Sequence, residues 1–209
     1  MSFFTRIHAS IFGCSSAEAK VGIIGISGVG KNTLLRRVAE GEIQTIFHSN
    51  KFLKYKKGQN YHLRMNFIMS YVGYDEPPLV KRWYAEQFCD SDGMIFVVDD
   101  DLVSRSEQAE WLQAYAKGFI PSHSKGNVEE IKVKEGVPWL ILGNKKKVDS
   151  TMTVDEIERT MGLGELEIDL HIEVVNMTHS TEEIANAMKW LRKRIDTPLD
   201  QRLQMTQVK

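Results

Sequence analysis

Cysteine is nearly missing from this chain, at 2 of 209 residues, and Cys14 and Cys89 stand in no metal-ligand spacing. That excludes a disulfide scaffold and a cysteine-based zinc module, and it fits a reducing, intracellular setting. Long apolar runs are also lacking. None approaches the ~20 residues that cross a bilayer, and the N-terminus has no long apolar leader, so an integral membrane protein is not expected. Nor is there an excess of one charge. The 27 basic and 28 acidic residues leave a formal net charge of -1, which gives no global field to collect nucleic acid or anionic lipid. Nucleic acid is therefore not an expected partner. With 42% hydrophobic and 26% charged residues, the composition is that of one ordinary globular domain.

The chain divides into an arm, a domain and a tail. Residues 1–16 form the arm, in which Phe3, Phe4, Ile7 and Ile11 recur at helical spacing among Arg6, His8 and Ser10. Residues 17–196 read as the domain and 197–209 as a polar tail, either disordered or docked. Within the domain an apolar strand from Lys20 to Ile26 meets a glycine-rich turn and then an amphipathic helix from Thr33 to Glu40. Strands at 51–57 and 61–69, with Gly58-Gln59-Asn60 between them, are expected to form a hairpin. Apolar runs at Gly93–Asp99, Pro138–Gly143 and Ile168–Val175 alternate with helical patterns near 78–88, 104–118, 153–161 and 181–195. Such alternation predicts an α/β fold, a doubly wound and mostly parallel sheet with one antiparallel hairpin strand. Residues 119–136 are polar and contain Pro and Gly, as a surface insertion would.

The strongest motif is Gly25-Ile26-Ser27-Gly28-Val29-Gly30-Lys31-Asn32-Thr33. Its G-x-x-x-x-G-K spacing lies between a strand and a helix, the context the phosphate loop requires. Gly25, Gly28 and Gly30 let backbone N–H groups converge on phosphate oxygens, the helix N-terminus adds positive potential, and Lys31 reaches the outer phosphates. Thr33 is able to contact a phosphate as well. Asn32 occupies the position where a Ser or Thr hydroxyl normally holds magnesium. Its longer amide disturbs a site that demands near-octahedral geometry, so weak magnesium binding is expected.

The runs GISGVGKNTLLRRVAEGEI, DGMIFVVDD, GNKKKVD and MKWLRKRI, in this order, resemble the ADP-ribosylation factor (Arf/Arl) family of small GTPases over residues 1–196, most weakly over 45–90. The resemblance implies a Ras-like phosphate-loop fold, binding of GDP or GTP with magnesium, an amphipathic N-terminal helix and a switch role in membrane traffic. It places Ser49 at the family's metal-sensing threonine, so Asn32 and Ser49 are the candidate metal ligands. It aligns Tyr71-Val72-Gly73-Tyr74 with the family's Asp-x-x-Gly stretch and Asp75 with its glutamine. Asp75 is thus the candidate catalytic residue, although its negative charge opposes the charge stabilisation that phosphoryl transfer needs. Asn144 and Lys145 keep the base-recognition motif, but its aspartate position holds Lys147, which only donates. Asp149 is the alternative acceptor, two residues on. Asn176-Met177-Thr178 correspond to the last base loop.

The arm either inserts in a membrane interface or folds back into a groove on the domain. Ser2 rules out the N-myristoylation motif, and Cys14 is a palmitoylation candidate beside the arm. Cys89 is expected in the core, as are Trp83, Tyr84 and Phe88. The basic end of the last helix, Lys189, Arg192, Lys193 and Arg194, suits either the helix dipole or a phosphoinositide. His171 and His179 show no metal-ligand pattern.

The expected function is a divergent Arf-like GTP-binding protein in membrane traffic or effector recruitment, with weakened nucleotide binding and little or no hydrolysis. Its effectors would dock on the hairpin, near Phe52, and the flanking switch-like loops. The expected location is cytoplasmic, with peripheral endomembrane contact through residues 3–12. The alternative is a pseudo-GTPase interaction module that binds no nucleotide. A small phosphate-transferring kinase shares the loop but lacks lid and acceptor segments.

Overall fold

A computed structural model describes residues 17–47, 54–70, 88–101, 104–117, 133–147 and 149–206. In chain order the elements are β1 Ala19–Ile24, α1 Lys31–Val38, β2 Gln44–Phe47, β3 Lys54–Asn60, β4 Met65–Ser70, β5 Gly93–Asp99, α2 Arg105–Ala116, β6 Trp139–Asn144, α3 Val154–Met161, β7 Leu170–Val175, α4 Thr181–Asp196 and α5 Leu199–Thr206. A short 3₁₀ turn, Leu163–Glu165, follows α3. The arm, Ser49, Phe52, Asp75, the 78–88 helix up to residue 87 and most of the 119–136 insertion lie outside the described residues.

The seven strands form one sheet in the order β2-β3-β4-β1-β5-β6-β7. Every pairing from β4 to β7 is parallel, and β3 pairs antiparallel with both β2 and β4. Strands β5 and β6 are buried at every position, as continuous apolar runs in a sheet covered on both faces must be. Helices α1 and α4 pack on each other, as do α2 and α3. Each sends its apolar stripe into the same core. Leu34, Leu35 and Val38 of α1 and Ile184, Met188 and Leu191 of α4 are buried, and each such side chain contributes about 1.5–3 kcal/mol.

The hairpin departs from expectation. Gly58 is no turn residue; it sits inside β3 opposite Phe67. A Cβ there would lie 2.7 Å from the Ala39 methyl and 3.0 Å from Leu35, so its bare backbone admits the end of α1. The reversal occurs at residues 61–64, where Arg64 takes the left-handed φ of 53°. Its carbonyl is held by Ala19 N–H at 2.9 Å and Arg192 Nη1 at 3.0 Å. The edge strand β2 was not foreseen, and α1 begins two residues earlier than its apolar pattern indicates because the loop glycines lead straight into it.

The tail is docked over Leu199–Thr206. Arg202 Nη1 donates to Gly136 O at 2.6 Å, and Leu199 packs where a Gly136 Cβ would stand. Cys89 is half-buried rather than a core residue, whereas its neighbour Phe88 is buried. The basic end of α4 is largely engaged within the fold. Arg194 grips Asp169 with Nη2–Oδ1 at 2.5 Å and Nε–Oδ2 at 3.0 Å, and Arg192 binds Asp196 and the Ala17 carbonyl. This favours the structural use of that end over a phosphoinositide site. His171 stacks on Trp190 and pairs with Glu173. Among the described residues no group of three or more His, Cys, Asp or Glu is placed to hold a metal, and no helix is long and apolar enough to cross a membrane.

Candidate functional site

The register aligns the ends of the central strands. Ile24 stands beside Phe96, Asp99 beside Asn144, and Asn144 beside Val175. The chain turns from β1 into α1 at this carboxyl edge, and the connection that follows leaves towards β4, away from β5. That is the switch point at which open α/β sheets place their ligands.

Gly25, Gly28 and Gly30 have φ of 140°, 83° and 112°. Two of these glycines are also required by close approach. A Cβ on Gly25 would stand 2.5 Å from the Val97 carbonyl oxygen, and one on Gly30 would stand 2.5 Å from Asn144 Nδ2. The loop therefore curls against the ends of β5 and β6, with the N-terminus of α1 opening from it. No acidic side chain occupies the first turn of α1, so its N–H groups retain their positive potential.

Lys31 lies under this curl, 6% exposed. Its Nζ donates to Gly25 O at 2.7 Å and Ile26 O at 2.6 Å. An ammonium has three N–H donors, so two brace the loop and one is left for an anion. Burial lowers the Lys31 pKa to about 8, because a charged form without an anion beside it is poorly solvated there. Thr33 follows half-buried on α1, and Gly28 is exposed at the tip of the loop.

Asn144 ties this loop to the loop that follows β7. Its Nδ2 donates to Val29 O at 2.9 Å and its Oδ1 accepts from Met177 N–H at 3.2 Å. Lys145 takes part through its backbone, donating to Val175 O and accepting from Asn176 Nδ2 at 2.9 Å. The Asn176 Oδ1 in turn gathers Thr178 N–H, the Thr178 hydroxyl and His179 N–H. Asn144, Lys145 and the 176–178 loop thus meet beside the phosphate loop.

Lys147 is exposed, and its N–H donates to Asp100 Oδ2 at 3.1 Å. Burial pushes the Asp100 pKa up, but hydrogen bonds from Lys147 N–H and the Ser150 hydroxyl, with the Lys147 charge, hold it below the usual carboxylate range. Asp149 lines a recess with Asp100, Arg105, Lys147, Ser150 and Glu156. No phosphate-loop residue and none of residues 176–178 lines that recess.

Several residues here escaped sequence reasoning. Asp99 is buried, pairs with Lys146, and its Oδ1 accepts from Gln108 Nε2 at 2.9 Å. Arg105 braces the same strand end, donating to Asp99 O at 3.0 Å and reaching Glu156 and Thr160 on α3. The three consecutive aspartates, Asp99 to Asp101, that end an apolar run were the available signal. Lys56 gave none. Its Nζ, carried by β3, donates to Asn32 Oδ1 at 2.9 Å.

A Ras-like sheet with this loop at its switch point defines a phosphate-loop α/β protein. The model of the ADP-ribosylation factor family matches residues 4–195, and the chain belongs to that family of small GTPases. ADP-ribosylation factor-like protein 4A of Homo sapiens is 30% identical over 149 residues, 69% of this chain and just under two thirds (66%) of that protein. ADP-ribosylation factor-like protein 3 of Chlamydomonas reinhardtii is 22% identical over 180 residues, covering 85% and 91% of the two chains. Among solved structures, the Arl6 BBS3 small GTPase of Trypanosoma brucei, with bound nucleotide analogue GppNp, superposes with a TM-score of 0.59 at 17% identity. That likeness covers 85% of this chain and 96% of the other, and it speaks for the fold.

Proposed function

We propose that this protein holds a nucleoside di- or triphosphate by its phosphates, weakly and with little preference for guanine, and serves effector recruitment with little or no GTP hydrolysis. The observation that carries this reading is Lys31, a buried ammonium beneath a curl of left-handed glycines with one donor left for an anion. The residues Gly25, Gly28, Gly30, Lys31 and Thr33 form the phosphate side, and Asn144 and Lys145 hold the loop of the base side against it.

The residues present do not fit a magnesium ion. Asn32 offers a neutral amide oxygen that already accepts from an ammonium, whereas magnesium takes hard oxygen ligands in near-ideal octahedral geometry. At the base end, guanine presents N–H donors and needs an acceptor, and Lys147 supplies another donor. The edge strand β2 offers an effector surface, with Phe47 59% exposed on it. Membrane traffic rests on kinship alone, and peripheral membrane contact through residues 3–12 on kinship together with the apolar stripe of Phe3, Phe4, Ile7 and Ile11.

A second reading, a pseudo-GTPase that binds no nucleotide, draws on the same lysine, since its bonds to Gly25 O and Ile26 O also close the loop on itself. One experiment separates the two. Bound nucleotide is stripped from the purified protein, and GDP, GTP and ATP are titrated by calorimetry, with Lys31→Ala as control. Binding that disappears in Lys31→Ala and differs little between bases supports the first reading. Absence of heat with every nucleotide supports the second, and tight guanine-selective binding sinks both. For the arm, liposome flotation before and after deletion of residues 2–13 decides, and unchanged partition removes the membrane contact.

A further inference from the structure

We infer that Lys56 is a resident cation that takes the place of the divalent metal ion at the phosphate loop, so that a polyphosphate is held there without a metal. The inference rests on the phosphate-binding reading of the loop.

Position carries the first part of the argument. In the G-x-x-x-x-G-K spacing the residue after the lysine aims its side chain at the metal, and here that residue is Asn32. The Lys56 ammonium lies 2.9 Å from Asn32 Oδ1. A magnesium ion on that oxygen, at about 2.1 Å, would lie within about 5 Å of the ammonium. Two cations at that separation oppose each other strongly away from bulk water. The exchange of hydroxyl for amide also becomes intelligible. An amide oxygen is a good acceptor for an ammonium and a poor member of a magnesium shell.

Rigidity carries the second part. Lys56 lies in the middle of β3, paired with Thr45 of β2 on one side and Met69 of β4 on the other. Its neighbour Gly58 lets α1 pack directly on β3. The lysine is thus presented by a strand fixed on both edges to a helix in contact with it. An ammonium donates in three directions, so one group is able to hold the amide oxygen and a phosphate oxygen together. Lys31 and Lys56 then supply two positive charges, where a lysine and a divalent ion would supply three.

The test measures binding of GDP, GTP and inorganic triphosphate to the full chain, by calorimetry in EDTA and again in millimolar magnesium. The wild type is expected to bind equally in both, within about twofold. Lys56→Met, which keeps the aliphatic stem, should lose about tenfold or more in EDTA, as befits one charge-assisted hydrogen bond. A gain of about tenfold on adding magnesium to the wild type would overturn the inference, since one bound divalent ion strengthens several phosphate contacts. Unchanged affinity of a folded Lys56→Met in EDTA would overturn it equally. If Lys56→Met does not fold, the wild-type comparison and the charge-retaining Lys56→Arg, expected to stay metal-independent, still decide. No binding in either buffer overturns the phosphate reading and this inference with it, whereas magnesium-dependent binding overturns this inference alone.

Discussion

At the residue scale, Lys31 sets a pH dependence of definite sign. Its pKa falls from 10.5 in the open chain to about 8 in the folded protein, through burial. Between those two values the unfolded chain keeps a proton that the folded chain has released. Stability therefore rises with pH across the window from about 8 to 10.5. The rise is on the order of 3 kcal/mol. Urea midpoints of the wild type across this window should climb relative to those of Lys31→Met, which has no proton to lose, and parallel profiles would count against a buried ammonium. Polyphosphate binding should run the other way, weakening as pH climbs past about 8, because the anion needs the charged form. Lys31→Ala should lower polyphosphate affinity by about 10- to 100-fold at neutral pH, as loss of a charge-assisted hydrogen bond predicts.

At the scale of elements, the site depends on loops tied together by single side chains. Asn144→Ala would orphan the Val29 carbonyl and the Met177 N–H at once, costing about 2–4 kcal/mol by chemical denaturation. Hydrogen exchange at the phosphate loop should accelerate in that variant, and unchanged exchange would show that Asn144 is no tie. Arg105→Ala should cost about 2–4 kcal/mol as well, because Asp99 O and Glu156 lose a buried cation. These elements were not equally legible in the sequence. Strand β5 falls at Gly93–Asp99, as its unbroken apolar run indicates, and α4 keeps its 3.6-residue stripe. The hairpin misled because Gly58 looks like a turn residue, when its lack of a side chain serves helix packing inside β3. The phosphate loop was legible because its chemistry is local, one residue after another. The contact of Lys56 with Asn32 joins residues 24 apart across a strand and a helix, and no periodicity encodes such a meeting. A lysine at position 147, where the resemblance implies an aspartate, was visible in the sequence, but the recess that takes Asp149 depends on α2 and α3 and needed the fold.

At the scale of the whole molecule, binding and folding share one reservoir of free energy, because the phosphate loop joins β1 to α1 at the centre of a single sheet. A ligand that binds the folded chain alone raises its stability by RT ln(1 + [L]/Kd), so melting curves report affinity without any enzymatic readout. Guanine has N–H donors on the edge that this family reads, and the base end here presents Lys147, whose own N–H is committed to Asp100. The base should therefore contribute little, with the phosphates contributing most of the binding energy. GTP, ATP and inorganic triphosphate at equal concentration are expected to raise the melting temperature by similar amounts. Substitution Lys147→Asp restores an acceptor for guanine, and its charge-assisted hydrogen bonds contribute about 1.5–3 kcal/mol each. That variant should gain at least about tenfold for GTP while ATP and triphosphate stay near their wild-type shifts. Equal gains for all three would mean that the substitution acted by removing a charge near the phosphates, and no gain would place the base away from residue 147. The comparison also tests how far the chain has moved from its relatives: a single substitution restores selectivity only if the cradle, Asn144 and the 176–178 loop already stand in register around a base.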